Sequence, residues 1–359
     1  MKVLQVINSL NTGGAEKLLV ETIPLYKKKG IAIDLLLLNG TTTIFLKELK
    51  ATHCCNIYSL GGGSVYNPLL ILKIIPFLKK YTIIHVHLFP ALYWVSLAKM
   101  IGFSKTKLVY TEHNTTNNRR KNTIYKLLDR YVYKSYSKII TIAKEVDTNL
   151  KKHLNINLDR YQLINNGVNT KVYNTAKAYL KTDFFSTEDI LLIQVSSFRF
   201  QKDQVTLIRS LTLLPKNVKL LLVGDGELRK DCEIEVANLR LEKRVKFLGN
   251  RIDVPRLLKT ADIVVLASHH EGLSLASIEG MASGKPFVAS NVPGLGNVVR
   301  DAGLLFEEAN ENDLSKHILD LISDKAYYNT VVKTCIKRAN QFDIQKMVDS
   351  YAALYKELV

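Results

Sequence analysis

Along this chain, short apolar runs alternate with longer stretches in which apolar residues recur every three or four positions. A continuous apolar run of a few residues marks a strand buried on both faces of a sheet. Seven such runs fall in the first half: Val3–Ile7, Ile33–Leu38, Asn56–Ser59, Ile83–Val86, Lys107–Thr111, Ile139–Ile142 and Gln162–Ile164. Six more follow, at Ile190–Val195, Lys219–Val223, Val245–Phe247, Ile263–Leu266, Phe287–Ala289 and Gly303–Phe306. Helix-length segments between successive strands imply βαβ units and parallel sheets, an α/β architecture. The polar stretch Asn165 to Asp183, which contains NNGVN, separates the two series, and its Asn-Gly pair marks a turn. The pattern predicts one domain over 1–168, a second over 169–341 and an amphipathic tail helix within 342–359. In that tail Met347, Tyr351, Leu354, Tyr355 and Leu358 recur at spacings of three and four.

A length of 359 residues and 47% hydrophobic content allow two sizeable cores. No run of uncharged apolar residues is long enough to cross a bilayer, so no transmembrane helix is expected. The opening MKVLQVINSLNTGG lacks the pattern of a signal peptide and reads as a strand entering a glycine loop. Cys54, Cys55, Cys232 and Cys335 show no metal-binding spacing and are expected to be reduced thiols of a cytoplasmic protein. Charge is placed unevenly. Residues 1–168 hold 24 Lys and Arg against 9 Asp and Glu, so +15 of the total +17 lies in the first half. A basic first half beside a nearly neutral second half implies an anionic partner for the first.

The richest chemistry lies in His270 to Pro286, HEGLSLASIEGMASGKP. Glu271 follows the strand Ile263–Leu266, and Glu279 lies about two turns into the following helix, Ser274 to Ser283, which stops at Gly284. In open α/β sheets, ligands bind outside the carboxyl ends of strands. Two carboxylates there can hold hydroxyls while the helix N-terminus receives an anion. A sugar nucleotide carries that pattern of hydroxyls and phosphates.

Other loops at strand ends are compatible with such a ligand. Gly13 and Gly14 follow the first strand, where glycines let the backbone approach a pyrophosphate, although the string is not GxGxxG. In Ser196-Ser197-Phe198-Arg199-Phe200-Gln201-Lys202, two cations at a strand end suit a departing nucleoside diphosphate, whose negative charge grows as the glycosidic bond breaks. His85 and His87 follow one strand and His113 another. Asp225 and Glu227 superficially suggest a metal site, but two carboxylates are too few, and no metal is expected.

In chain order, GGAE at 13–16, TEHN at 111–114, NNGVN at 165–169, SFRFQK at 197–202, GDGELR at 224–229, FLGNR at 247–251 and EGLSLASIE at 271–279 resemble the motifs of family 4 glycosyltransferases. These are retaining enzymes of GT-B fold: two Rossmann-like parallel-sheet domains face each other across a cleft, and the last helix crosses back to the first domain. The resemblance runs from residue 3 to about residue 300. It departs at Ala276, where the family often has Pro, at Gly280, where it often has Ala, and at Ser197, where it usually has Arg.

The resemblance implies a role for each site residue. Glu271 holds hydroxyls of the donor sugar and Glu279 the ribose. Lys202 holds the diphosphate, with Arg199 standing in for the arginine missing at Ser197. His113 bonds the donor sugar, with Glu112 and Asn114 orienting it or meeting the acceptor. His87 lines or supports the acceptor side, and His85 is structural. Gly14 makes a backbone contact to the diphosphate or the reacting sugar, with Gly13 beside it in the donor loop, and Gly272, Leu273, Ser274 and Leu275 bring the amides of the helix N-terminus near the phosphates. Asn250 and Arg251 meet the base through their backbone. Acceptor specificity is expected in the loops Gly61–Tyr66 and Glu112–Arg120.

The expected reaction moves a sugar from a nucleotide sugar, a UDP-sugar foremost, to a hydroxyl of a glycan or lipid-linked glycan in bacterial cell-surface polysaccharide synthesis. No side chain is placed as a nucleophile, so front-face transfer with retention is expected, without metal or other cofactor. A nucleotide-sugar epimerase of the same fold and a non-catalytic partner of another transferase are the alternatives. Nucleic acid is excluded as a partner by the lack of any recognised binding motif.

The stretch Arg119 to Lys138 predicts a further contact. Lys126, Arg130, Lys134 and Lys138 fall at steps of four and are expected on one helix face, with Leu127, Leu128, Tyr131, Val132 and Tyr136 as apolar and interfacial surface. Such a helix suits an anionic membrane, which points to peripheral attachment at the inner face of the plasma membrane through the first domain.

Overall fold

Every strand expected from the apolar runs forms, with ends displaced by no more than one residue. The computed structural model describes residues 1–11, 13–114, 122–154, 158–271 and 274–359. The strands are β1 (Lys2–Ile7), β2 (Ala32–Leu37), β3 (Ile57–Ser59), β4 (Ile83–His87), β5 (Lys107–Glu112), β6 (Lys138–Thr141) and β7 (Tyr161–Leu163). After them come β8 (Ile190–Val195), β9 (Val218–Val223), β10 (Val245–Phe247), β11 (Ile263–Leu266), β12 (Phe287–Ser290) and β13 (Leu304–Phe306). The chain divides into two units, one of Met1–Gly167 with Ile344–Val359 and the other of Val168–Asp343.

In the first unit seven strands form a parallel sheet in the order β3-β2-β1-β4-β5-β6-β7. Both faces are covered, which is why its strands read as mostly apolar runs. From β1, Leu4 and Val6 pack on one side with Leu70, Ile74, Leu92 and Val95. Val3 and Ile7 pack on the other with the helix Gly14–Lys28 and the C-terminal helix Ile344–Glu357, which brings Met347, Val348, Tyr351 and Tyr355 into the same core. The two-residue period of a strand places Gln5 on this second face. Its register partner is His85, and Thr111 lies opposite His87. All four side chains are buried.

In the second unit six parallel strands run in the order β10-β9-β8-β11-β12-β13 around one continuous core. The strand order turns back between β8 and β11, as it does between β1 and β4 in the first unit. The loops after β8 and after β11 therefore diverge at a switch point, where an open α/β sheet receives ligands.

The basic stretch departs from expectation. The helix covers Thr123–Lys134, with its N-cap at Asn122 and its C-cap at Ser135. Lys138 is not on it: it opens β6 and pairs with Glu357 at 2.9 Å. Val132 and Tyr136 are core residues. Arg130 donates from Nε to the Leu154 carbonyl at 2.8 Å. The exposed face is instead apolar: Ile124, Leu127, Leu128 and Tyr131 are 68%, 62%, 46% and 60% exposed. Their spacing of three, one and three makes one stripe along the helix, with Lys134 exposed at its end. Arg119, Arg120 and Lys121 lie outside the described residues, as does most of the loop Glu112–Arg120. Among the described residues no helix is long and apolar enough to cross a membrane.

Candidate active site

At the switch point of the second sheet, Lys202 and Glu271 meet in an ion pair. Lys202 ends a short turn, Phe200–Lys202, after β8, and Glu271 lies in the loop after β11. Ser268 Oγ donates to the same Glu271 oxygen, Oε1, at 3.0 Å. The carboxylate is almost wholly buried, so a cation and a hydroxyl donor at its oxygen offset the cost of removing it from water.

A buried amide holds the two loops together. Gln194, the fifth residue of β8, donates from Nε2 to the Lys202 carbonyl at 2.8 Å and to Ser196 Oγ at 3.1 Å. Its Oε1 accepts from the Ala267 amide at 3.2 Å. Gln204 Nε2 donates to Ser196 Oγ and to the Ser197 carbonyl, both at 3.0 Å. Neither glutamine is a ligand candidate by motif, and neither stood out in the sequence. The only local signal is a polar residue inside an apolar strand.

The GDGELR string acts as a mould for the Ser197 loop. A Cβ on Gly224, at φ 132°, would come within 2.1 Å of the Ser196 carbonyl oxygen. One on Gly226, at φ 158°, would come within 2.4 Å of the Phe198 oxygen. Bare backbone there lets Phe198 N donate to the Asp225 carbonyl at 3.1 Å and Leu228 N to the Phe198 carbonyl at 3.1 Å. Asp225 itself pairs with Arg229 at 3.3 Å. Arg199 is exposed beside this loop and makes no ion pair among the described residues.

Ser274 caps the helix Leu275–Ala282, its Oγ accepting from the Ser277 amide at 3.3 Å. Leu275 packs against the core and Glu279 is half-buried on the same helix. Gly284, with φ 75°, ends the element as expected. Gly272 and Leu273 lie outside the described residues. After β10, Asn250 is exposed, and Arg251 is committed to Asp253 by bonds of 2.8 and 2.6 Å. Those bonds hold the Asp253 carboxyl well below the usual range.

In the first unit, Gly13 is the N-cap of the helix Gly14–Lys28 and the Glu16 carboxylate covers it; burial raises the pKa of that carboxyl. Gly14 is exposed, and a Cβ there would meet nothing within 4 Å. His113 follows β5, and its Nε2 lies 3.0 Å from His87 Nδ1. The Glu112 carboxylate is buried and accepts from the Asn114 amide at 3.1 Å and from Tyr133 Oη at 3.0 Å. The residue that holds His113 is His87, and His85 lies deeper in the same cluster.

Two family profiles between them span most of the chain. The profile described as glycosyltransferase family 4 matches residues 12–172, and that of glycosyl transferases group 1 matches residues 178–341. The chain belongs to glycosyltransferase family 4. It is 29% identical over 78% of its length to the Escherichia coli UDP-Gal:alpha-D-GlcNAc-diphosphoundecaprenol alpha-1,3-galactosyltransferase, of which 76% is covered. It is 26% identical over 95% of both chains to a Campylobacter jejuni N-acetylgalactosaminyltransferase named for an N-acetylgalactosamine-N,N'-diacetylbacillosaminyl-diphospho-undecaprenol acceptor. Among solved structures it is similar to Anabaena HepE in complex with UDP, at TM-score 0.86, 23% identity and coverage of 99% and 100%. A Rickettsia africae glycosyltransferase gives 0.84, 21%, and 99% and 98%. The fold is GT-B.

As a family 4 glycosyltransferase of hexosyl type, the chain accommodates its departures from the family pattern structurally. Gly280 sits under the Phe287 ring, where a Cβ would lie 2.6 Å from two ring carbons and 3.0 Å from Val264 Cγ1. The ring takes the space that an alanine methyl would need. Ala276 falls in the first turn of its helix, where either residue is accepted.

Proposed function

We propose that this glycosyltransferase transfers a sugar from a UDP-sugar to a hydroxyl of a lipid-linked glycan, with retention of anomeric configuration. The observation that carries the reading is the Lys202–Glu271–Ser268 cluster at the switch point of the second sheet. It offers a cation for phosphate beside a carboxylate for sugar hydroxyls. The relatives named for diphosphoundecaprenol-linked acceptors and the UDP in HepE support the two substrates.

In this reading Lys202 and Arg199 neutralise the diphosphate, with the amides at the N-terminus of the helix Leu275–Ala282 near it. Ser197 leaves room beside the phosphates where an arginine usually stands. Glu279 holds the ribose hydroxyls and the backbone of Asn250 and Arg251 the base. Glu271 and His113 hold the donor sugar. The acceptor hydroxyl attacks the anomeric carbon on the face from which the diphosphate leaves. Its proton passes to the departing phosphate oxygen as one C–O bond breaks and the other forms. The charge that develops is met by cations, and the step calls for no metal.

The basic first unit and the exposed apolar stripe Ile124–Leu127–Leu128–Tyr131 suit an anionic membrane surface, where a lipid-linked acceptor would be presented.

A thermal-shift series with nucleotides and nucleotide sugars tests the donor site, since a ligand bound only by the native state raises its stability. UDP is expected to stabilise the wild type but not Glu279→Ala. If no nucleoside diphosphate shifts the wild type, the reading fails, and a non-catalytic role, suggested by Ser197, takes its place.

A further inference from the structure

Five polar side chains in the first unit, Gln5, His85, Thr111, Tyr351 and Tyr355, are buried where nothing in the reaction calls for them. They form two branches that meet at the Tyr355 hydroxyl. On one, Gln5 Nε2 donates to Tyr355 Oη at 3.0 Å, Gln5 Oε1 lies 2.8 Å from His87 Nε2, and His87 Nδ1 lies 3.0 Å from His113 Nε2. On the other, Tyr355 Oη lies 2.6 Å from His85 Nδ1, His85 Nε2 lies 2.7 Å from Thr111 Oγ1, and Thr111 Oγ1 lies 3.0 Å from Tyr351 Oη.

Donors and acceptors can be assigned along this chain. Burial holds all three imidazoles neutral, with His85 pushed down to about 3, His87 well below its usual value and His113 to about 4. A neutral imidazole has one donor and one acceptor nitrogen. With the Gln5 amide turned so that Nε2 meets Tyr355 and Oε1 meets His87, that oxygen only accepts, so His87 carries its hydrogen on Nε2. His87 Nδ1 then accepts, and His113 donates from Nε2. That leaves His113 Nδ1 as an acceptor, and no side chain among the described residues bonds it. On the other branch Tyr355 accepts from Gln5 and gives its own hydrogen to His85 Nδ1, so His85 donates from Nε2 to Thr111. Each hydrogen is used once.

The Gln5 amide sets the sense of the relay. Turned over, it would present N–H to His87 Nε2, move the His87 hydrogen to Nδ1 and convert His113 Nδ1 from acceptor to donor. We infer that Tyr355 of the C-terminal helix, acting through Gln5 and His87, is a positioning residue that fixes His113 as a hydrogen-bond acceptor, and hence as a ligand for a donor-sugar hydroxyl that gives its proton. The functional half of this inference rests on the reading of His113 as a donor-sugar ligand. The relay itself does not.

The test uses the full chain labelled with 15N-histidine. Long-range proton–nitrogen correlations report which ring nitrogen of His113 carries hydrogen, with His113→Gln identifying the signal. The wild type is expected to show Nε2–H alone. Tyr355→Phe keeps the ring but removes the hydroxyl, and is expected to give a mixture with Nδ1–H. In the same variant, turnover should fall about tenfold, with the Kd for UDP unchanged. Gln5→Met, which cuts the relay at its centre, should give the same mixture, while Tyr351→Phe, on the other branch, should leave the Nε2–H form alone. A single Nε2–H tautomer in both Tyr355→Phe and Gln5→Met overturns the inference, whatever happens to melting temperature. A tautomer shift with turnover unchanged upholds the relay and overturns the donor-sugar role of His113.

Discussion

Lys202 sets its ammonium on the Glu271 carboxylate from 69 positions earlier in the chain, joining the loops that follow β8 and β11. The roles proposed for the two can be measured apart. Lys202→Met is expected to weaken UDP binding by roughly ten- to a hundredfold, the 1.5–3 kcal/mol typical of a bond to a charged group. Glu271→Gln keeps the shape and should leave UDP affinity within about threefold while transfer collapses. Calorimetry with UDP beside a transfer assay reads both. Equal losses of UDP binding in the two variants would show that Glu271 serves the nucleotide and not the sugar.

Gly280 and Phe287 form a second coupled pair. Gly280→Ala drives a methyl into the ring and is expected to cost about 1–3 kcal/mol by chemical denaturation. In Gly280→Ala/Phe287→Leu the two changes should be less damaging together than their separate costs imply, because the shorter side chain admits the methyl. Simple additivity would show that the contact carries no strain.

The buried histidines are expected to make the first unit acid-sensitive. Desolvation lowers the folded-state values to about 3 for His85 and about 4 for His113, and depresses His87, against about 6.5 in the unfolded chain. As pH falls below about 6.5 the unfolded state binds protons first. The stability due to these groups is therefore complete above that value and is lost progressively towards pH 4. The loss is on the order of 1 kcal/mol per pH unit for each fully buried ring, and less for half-buried His113, which solvent reaches. Urea unfolding at pH 7 and pH 5, with His85→Gln as comparison, checks it. A first-unit transition equally stable at both values contradicts it.

Vesicle co-sedimentation tests the apolar stripe. Wild-type protein should pellet with anionic vesicles and not with neutral ones, and Leu127→Ser/Tyr131→Ser should lose most of that binding at unchanged melting temperature. Equal binding to both vesicle types, or to neither, removes the membrane from the proposal.

The strands were legible because a parallel strand covered on both faces leaves a short, mostly apolar run, and these runs recur along the chain with helix-length segments between them. The helix Thr123–Lys134 was legible in position but not in extent. The four-residue spacing of cations runs on to Lys138 by coincidence, while buried Tyr136 and the Ser135 cap end the helix. The apolar stripe was hidden for a related reason: Leu128 and Val132 look alike in sequence, and only packing decides which faces out. Gln5, His85 and Thr111 showed themselves only as polar interruptions of apolar strands. Their partner Tyr355 lies 350 positions from Gln5, beyond any local pattern.

The first unit takes its C-terminal helix from residues 344–357, after the chain has built the whole of the second. During synthesis the second unit can therefore close while the first still exposes the face that receives this helix, with Gln5 and His85 lacking the Tyr355 hydroxyl. The unit begun first is completed last. Until residue 355 has left the ribosome tunnel, Gln5 and His85 lack the hydroxyl that joins them, so the histidine cluster is the last part of the first unit to be set.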